Sequence, residues 1–212
     1  MRPSTWIDAD GRERLEATIH EVERATEGEL IVVVVPACDA YADVGWRVGV
    51  TFALLAYLGV AIAFPPQPFW LYLGVQGLAL ALGHALARLA PLRRLLLPGP
   101  WVEHRLAQRA RRAFTEHGLA RTRRQTGILV LVSLLERRVI VLGDAGINAV
   151  LDPDESWQQV VDLAVKGLHA GQPVDGLDTA LRRCGEILAR HFPAPTPRED
   201  QLPNAVILED EL

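Results

Sequence analysis

From Val48 to Ala87 the chain runs for 40 consecutive residues without a Lys, Arg, Asp or Glu. A helix crosses the roughly 30 Å hydrocarbon layer of a bilayer in about 20 apolar residues, at about 1.5 Å per residue. The stretch is therefore two spans long. It is interrupted once, at Pro65-Pro66-Gln67-Pro68, where prolines remove backbone donors and bias the residues before them away from helix. The expected layout is a first span over 44–64, a turn over 65–68 and a second span over 69–89. Phe64, Phe69, Trp70 and Tyr72 gather at that turn, as amphipathic rings do at a membrane interface. Arg47, one turn inside the first span, is expected to snorkel to the headgroups. His84, inside the second, is expected to be neutral and hydrogen-bonded to the facing helix.

Charge sets the orientation. Residues 1–43 carry 4 basic and 10 acidic side chains, 88–138 carry 12 and 3, and 139–212 carry 5 and 13. Arg47, Arg88, Arg93 and Arg94 flank one side of the apolar stretch, whereas the 65–68 turn carries no charge. Lys and Arg in short flanks mark the cytoplasmic side, which puts both termini in the cytoplasm and the chain in the inner membrane, crossing it more than once. The N-terminus has no apolar run behind a basic start, so no cleavable signal is expected. Cys38 and Cys184 are the only cysteines, too few for a disulfide framework, and both are expected to be reduced.

Around the apolar stretch the pattern is α/β. Leu15, Ile19 and Val22 repeat at helical spacing, with Asp8 or Asp10 as a cap. Leu30-Ile31-Val32-Val33-Val34-Val35 is a strand apolar on both faces, which must find partners beyond the apolar stretch. Those partners are 127–133 and 139–142, joined by a connection short enough for a hairpin. Between them and the second span, Val102, Leu106, Ala110, Ala113 and Phe114 form the buried side of a helix whose Arg105, Arg109, Arg111 and Arg112 lie mostly off it. Asp154 or Ser156 opens a helix burying Trp157, Val160, Val161, Ala164 and Leu168, and Leu177, Leu181, Cys184 and Leu188 mark the next. Residues 193–212, with four prolines and Glu209-Asp210-Glu211, read as a disordered acidic tail.

No phosphate-cradling, dinucleotide-binding, nucleophile-elbow or zinc-helix motif occurs. What remains lies at strand ends, where open α/β sheets hold ligands. The first strand runs into Asp39 and the third into Asp144; if those strands are parallel neighbours, the two carboxylates converge. Together they could bind Ca²⁺ or Mg²⁺ and polarise a phosphoryl oxygen, with Arg138 or Arg121 steadying the phosphate. The plainer alternative makes Asp39 and Asp144 turn residues holding the backbone. Glu27 and Glu29, flanking Gly28, read as a solvated turn, and Glu136 with Arg138 as a surface pair. Arg outnumbers Lys 21 to 1 and no aromatic residues interleave the basic helix, so anionic lipid is a better partner for it than nucleic acid.

Phe114-Thr115-Glu116-His117-Gly118-Leu119, Thr126-Gly127-Ile128-Leu129-Val130-Leu131-Val132-Ser133, Glu136-Arg137-Arg138-Val139 and Gly143-Asp144-Ala145-Gly146-Ile147, with Thr26-Glu27-Gly28-Glu29-Leu30 upstream, resemble the TPM domain family. The likeness is to the bacterial subgroup in which a membrane hairpin follows the first strand, related to the thylakoid-lumen proteins. Asp39 and Tyr41 match that subgroup's Ser-Asp-x-Tyr pattern, with Cys38 where Ser is usual. The resemblance implies an α/β fold, a TPM-like sheet with flanking helices interrupted by a two-helix transmembrane hairpin. Its parts are 1–43, the hairpin, 90–192 and the tail 193–212. Taken with the charge flanks and the strand-end carboxylates above, it leaves two functions of different class. One is a cytosol-facing interaction or assembly-accessory domain whose partners are the bilayer and a membrane protein. The other is a divalent-metal-assisted phosphatase using Asp39, Asp144 and Arg138.

Overall fold

The computed structural model describes residues 2–194 and 205–210. In chain order its elements are α1 (Pro3–Trp6), α2 (Ala9–Arg24), β1 (Glu29–Val35), α3 (Ala42–Ala63), α4 (Phe69–Leu86), α5 (Ala90–Leu96), α6 (Gly99–Glu116), a 3-10 turn (Leu119–Arg121), β2 (Gly127–Ser133), β3 (Arg138–Gly143), α7 (Ala145–Asn148), α8 (Trp157–His169), α9 (Pro173–His191) and β4 (Val206–Leu208). They divide into two compact units, one of Met1–Cys38 with His104–Leu212 and the other of Asp39–Glu103.

The first unit is built on a four-stranded sheet in the order β3-β2-β1-β4. β1 pairs in parallel with β2 over its whole length, Glu29 opposite Gly127 and Val35 opposite Ser133. Every residue of β1 and β2 is buried. The reason is that helices cover both faces of the sheet. Alternation along a strand sends Leu30, Val32, Val34, Ile128, Val130 and Val132 to one face, where they pack with residues of α2, α8 and α9. Ile31, Val33, Val35, Leu129 and Leu131 go to the other, against Leu106, Ala110 and Ala113 of α6. The helices start where the sequence places them: the Asp8 carboxylate accepts from the Gly11 N–H at 2.8 Å and opens α2, and Ser156 caps α8.

Two expectations are corrected by this sheet. β2 lies between β1 and β3, and β3 is antiparallel to β2, so the strands leading to Asp39 and Asp144 are neither neighbours nor parallel. The acidic tail also contributes structure. Val206–Leu208 forms β4, paired in parallel with Val32–Val34, because three β-favouring apolar residues there fit the free edge of β1. Residues 195–204 and 211–212 of the expected tail lie outside the described residues.

The second unit is dominated by α3 and α4, 22 and 18 residues long, each with an apolar window of which 6% is buried. A core helix of a soluble domain would bury far more, and both helices are long and apolar enough to cross a membrane. They run antiparallel from the turn at 64–68: Tyr57 and Tyr72 have ring centroids 5.5 Å apart, and near the other end Gly49 and Gly83 meet. A Cβ on Gly49 would come within 2.8 Å of the Leu80 carbonyl, and one on Gly83 within 3.0 Å of the Gly49 Cα. The helices approach closely because these positions lack side chains. Helix α4 stops at Leu86 rather than 89, and α5 follows.

Candidate functional site

Asp39 and Tyr41, in the second unit, form a turn. The Asp39 carboxylate accepts from the Tyr41 N–H at 3.2 Å, the Asx arrangement of the plainer reading, and Tyr41 takes a left-handed φ of 50° before α3. The Arg93 guanidinium lies 5.2 Å from the Tyr41 ring centroid, and that of Arg47 lies 5.3 Å from the Trp101 ring. Arg47 thus has an aromatic neighbour as well as Asp43, 4.0 Å away. His84 departs from its expected role. Its ring packs 5.4 Å from that of Trp46 and over Gly45, and its Nε2 is 3.4 Å from Arg88, just past the end of α4. Its Nδ1 makes no hydrogen bond among the described residues.

Asp144, in the first unit, follows β3. Its N–H donates to the Gly127 carbonyl at 2.9 Å, at the end of the sheet where β1 begins with Glu29. Arg138 opens β3 opposite Ser133, at the other end, where β1 stops. Six residues of strand separate those ends, or about 20 Å. The sheet therefore does not bring Asp144 to Arg138, and the strand end leading into Asp39 is the distant one. Arg121 is exposed on the 3-10 turn.

Asp144 does face a pocket of about 280 Å³, lined by Arg111, Phe114 and Thr115 of α6 with Leu142, Gly143 and Asp144. One carboxylate oxygen, Oδ1, accepts from the Ala145 N–H at 2.7 Å and opens α7. The other, Oδ2, is buried and has no hydrogen-bond partner among the described residues. A glycine shapes the neighbourhood: a Cβ on Gly146 would sit 2.1 Å from the Arg124 carbonyl and 2.7 Å from that of Gln125. Arg111 and Thr115 belong to the lining, but the Thr115 hydroxyl already donates to the Arg111 carbonyl at 3.1 Å. Ca²⁺ takes six to eight oxygen ligands, far more than this single carboxylate offers.

Other groups cluster without having been singled out by the sequence. Asp152, Glu155 and His191 bring ligand-capable atoms within 4.8 Å of one another. Arg190 Nη1 lies 2.9 Å from Glu155 Oε1 and 3.6 Å from Asp152, and His191 Nε2 is 2.7 Å from Glu155 Oε2. Those cationic and donor groups already serve the carboxylates, which makes the cluster an ion network. At the far end of β1, Glu136 accepts from the Cys38 N–H at 2.9 Å and from the Ser133 hydroxyl. Glu136 is thus drawn into the fold rather than pairing with Arg138 on the surface. Burial pushes the Cys38 thiol up to about 12, against an opposing hydrogen bond from Ser133, so it is no thiolate nucleophile. Burial likewise raises Cys184 to about 12. Both cysteines are free, as expected. Glu29 is buried and so does not belong to a solvated turn, whereas the part-exposed Glu27 meets Arg124 at 2.6 Å. Arg109, expected off the buried face, is 13% exposed and held by Glu209 and Glu116; its partner Glu209 is a hundred residues away, a pairing that helical periodicity does not register.

Residues 101–187 match the family model of the TPM domain. The chain carries a TPM domain. The match spans β2, β3, α7 and α8, most of α6 and α9, and the whole lining of the Asp144 pocket. β1 lies outside it, so the sheet that holds the matched strands is completed by sequence from before the apolar helices and, through β4, from the C-terminal stretch. No curated protein matches the chain. Among solved structures, the NMR structure of the BA42 protein from the psychrophilic bacterium Bizionia argentinensis is similar in fold. It is 17% identical with a TM-score of 0.58, covering 95% of this chain and 94% of that one.

Proposed function

We propose that this chain is a membrane-anchored TPM-domain protein whose cytosol-facing domain serves as an interaction or assembly-accessory module for membrane complexes. The observation that carries the reading is that β1 and β2 are paired residue for residue although α3 and α4 separate them in sequence. If the apolar helices enter a bilayer, both flanks must stay on one side of it, which requires an even number of crossings. Two helices supply that number, at about 33 Å and 27 Å by helical rise, close to the hydrocarbon thickness. Arg47, Arg88, Arg93 and Arg94 favour the cytoplasm for the flanked side, so both termini lie there, in the cytoplasmic membrane.

An interaction role rather than catalysis is favoured by what the site contains. The sheet separates Asp144 from Arg138 and from the strand end leading to Asp39, and Cys38 is held as a thiol. The basic stretch of 88–124, close in sequence to the apolar helices, suits anionic headgroups or an acidic protein surface better than nucleic acid.

The test is fractionation of expressing cells with an alkaline carbonate wash, followed by affinity purification of the chain from detergent-solubilised membranes. Retention in the washed membrane, with defined membrane proteins copurifying in fixed ratio, is expected. Release by carbonate removes the anchor, and a chain that purifies alone from solubilised membranes removes the accessory role.

A further inference from the structure

β4 differs from the other strands in how little holds it. It contributes three residues, Val206–Leu208, against seven in β1 and seven in β2, and it pairs with only Val32–Val34. β1 is secured independently by its full register with β2. Yet the edge on which β4 lies is specific. Val206 is fully buried, Ile207 packs towards the α6 face and Leu208 towards the α8 and α9 face. The next residue, Glu209, continues the ladder by donating its N–H to the Val34 carbonyl at 3.0 Å. Its carboxylate accepts from Arg109 Nη2 and lies 3.8 Å from His117 Nε2, both placed by α6 and the turn after it. Asp210 accepts from the Ser4 N–H at 3.1 Å.

From this geometry we infer that the outer edge of β1, with Arg109 and His117, is a docking groove for an extended acidic segment of a partner protein, occupied in the free chain by residues 206–209. The partner segment repeats the resident's chemistry: three apolar residues alternating between the two faces, then a Glu or Asp, laid parallel to β1. Main-chain hydrogen bonds to Val32–Val34 supply affinity, and the side-chain hollows and the guanidinium supply specificity, the mode of strand addition at a sheet edge. Exchange of one such segment for another keeps the seven-residue β1–β2 register intact. The resident also protects the edge, which would otherwise be an unpaired strand template. The inference builds on the proposed interaction role by naming where and what the domain binds.

The test uses the full chain in detergent micelles and, as probe, a fluorescein-labelled synthetic peptide of residues 205–210, Ala-Val-Ile-Leu-Glu-Asp. Glu209→Lys weakens the resident strand by replacing its charge-assisted contact with a like-charge one. Binding of the probe to this variant is expected to be about tenfold tighter than to the wild type, and Arg109→Ala added to it is expected to reverse the gain. Equal binding to all three chains, or none to any, overturns the groove. Amide exchange on the unmodified chain gives a second reading: Glu209 is expected to exchange at least about tenfold faster than the β1 and β2 amides that pair those strands. Equal protection makes β4 an integral core strand and also overturns the proposal. Probe binding without copurifying membrane proteins leaves the groove and removes the accessory role, whereas copurification without probe binding does the reverse.

Discussion

The N–H of Cys38 donates to Glu136 Oε1 at 2.9 Å, so the residue that ends the first segment of the sheet-bearing unit is fastened to the turn between β2 and β3, 98 positions later. The other Glu136 oxygen accepts from the Ser133 hydroxyl. One carboxylate therefore closes the sheet end at which the chain departs towards the apolar helices. Removing it strands a part-buried N–H and a buried hydroxyl. Glu136→Ala is expected to lower stability by about 2–3 kcal/mol, measured by denaturant titration of the detergent-solubilised chain, and Glu136→Gln by less, since an amide oxygen still accepts one bond.

Cys38 itself carries a separate expectation. With its thiol pushed up to about 12 by burial and its side chain nearly inaccessible, it is overwhelmingly protonated at neutral pH. Alkylation by iodoacetamide at pH 8 should leave both Cys38 and Cys184 unmodified in the folded chain and label both after denaturation. Mass spectrometry of the two samples decides it, and rapid labelling of native Cys38 would show that the strand end opens.

The backbone of the fold is legible in the sequence where a local pattern and the tertiary environment demand the same residues. Leu30–Val35 and Ile128–Val132 are apolar on both faces because helices cover both faces, and the uncharged run of 48–87 declares two long helices. Pairing order is not written so locally. Nothing in Val139–Leu142 distinguishes a strand beside β1 from one beyond β2, and the assumption of parallel neighbours brought Asp39 and Asp144 together when the sheet does not. β4 was hidden for a similar reason: Val206, Ile207 and Leu208 are too few to stand out among prolines and acids, and gain meaning only beside the free edge of β1. The pocket is intermediate. Asp144 was identified from its position after a strand, but Arg111 and Thr115 join it only because α6 packs on that face.

Gly146 is a strict spatial requirement. Its Cβ would fall 2.1 Å from the Arg124 carbonyl, and backbone on both sides cannot give way without moving α7 and the turn before β2. Gly146→Ala is expected to cost about 3 kcal/mol and to disturb the Asp144 pocket. Thermal denaturation of the purified chain measures the first effect, and amide-exchange protection around 124–127 the second.

In the proposed membrane hairpin, Gly49 and Gly83 set the separation of α3 and α4. Gly49→Leu would drive a branched side chain against the Leu80 carbonyl, 2.8 Å from the first atom added. The expected outcome is a splayed hairpin. Pairs of cysteines placed at Tyr57 and Tyr72, whose rings are 5.5 Å apart, should cross-link readily in the parent sequence and markedly less in the Gly49→Leu variant. Unchanged cross-linking would mean the glycines do not determine the approach.

Glu155 gives the fold a pH dependence whose sign follows from its surroundings. Burial raises its carboxyl, but the Asp152 N–H, the His191 ring and the Arg190 guanidinium outweigh burial and leave it below its ordinary 4.5. A group lowered in the folded state contributes stability that is complete above its unfolded value and disappears as pH falls through the folded one. The contribution is therefore present at neutrality and fades below about pH 4–5. The Glu155 side chain is fully buried while Arg190 and His191 anchor it to the end of α9, so Glu155→Gln is expected to destabilise the neutral protein by about 2–3 kcal/mol. The same substitution should flatten the acid limb of the stability profile, because the titrating group is gone. Denaturation midpoints of both chains between pH 3 and 8 test it: parallel curves would assign the acid sensitivity to other carboxylates, whereas convergence towards low pH assigns it to Glu155.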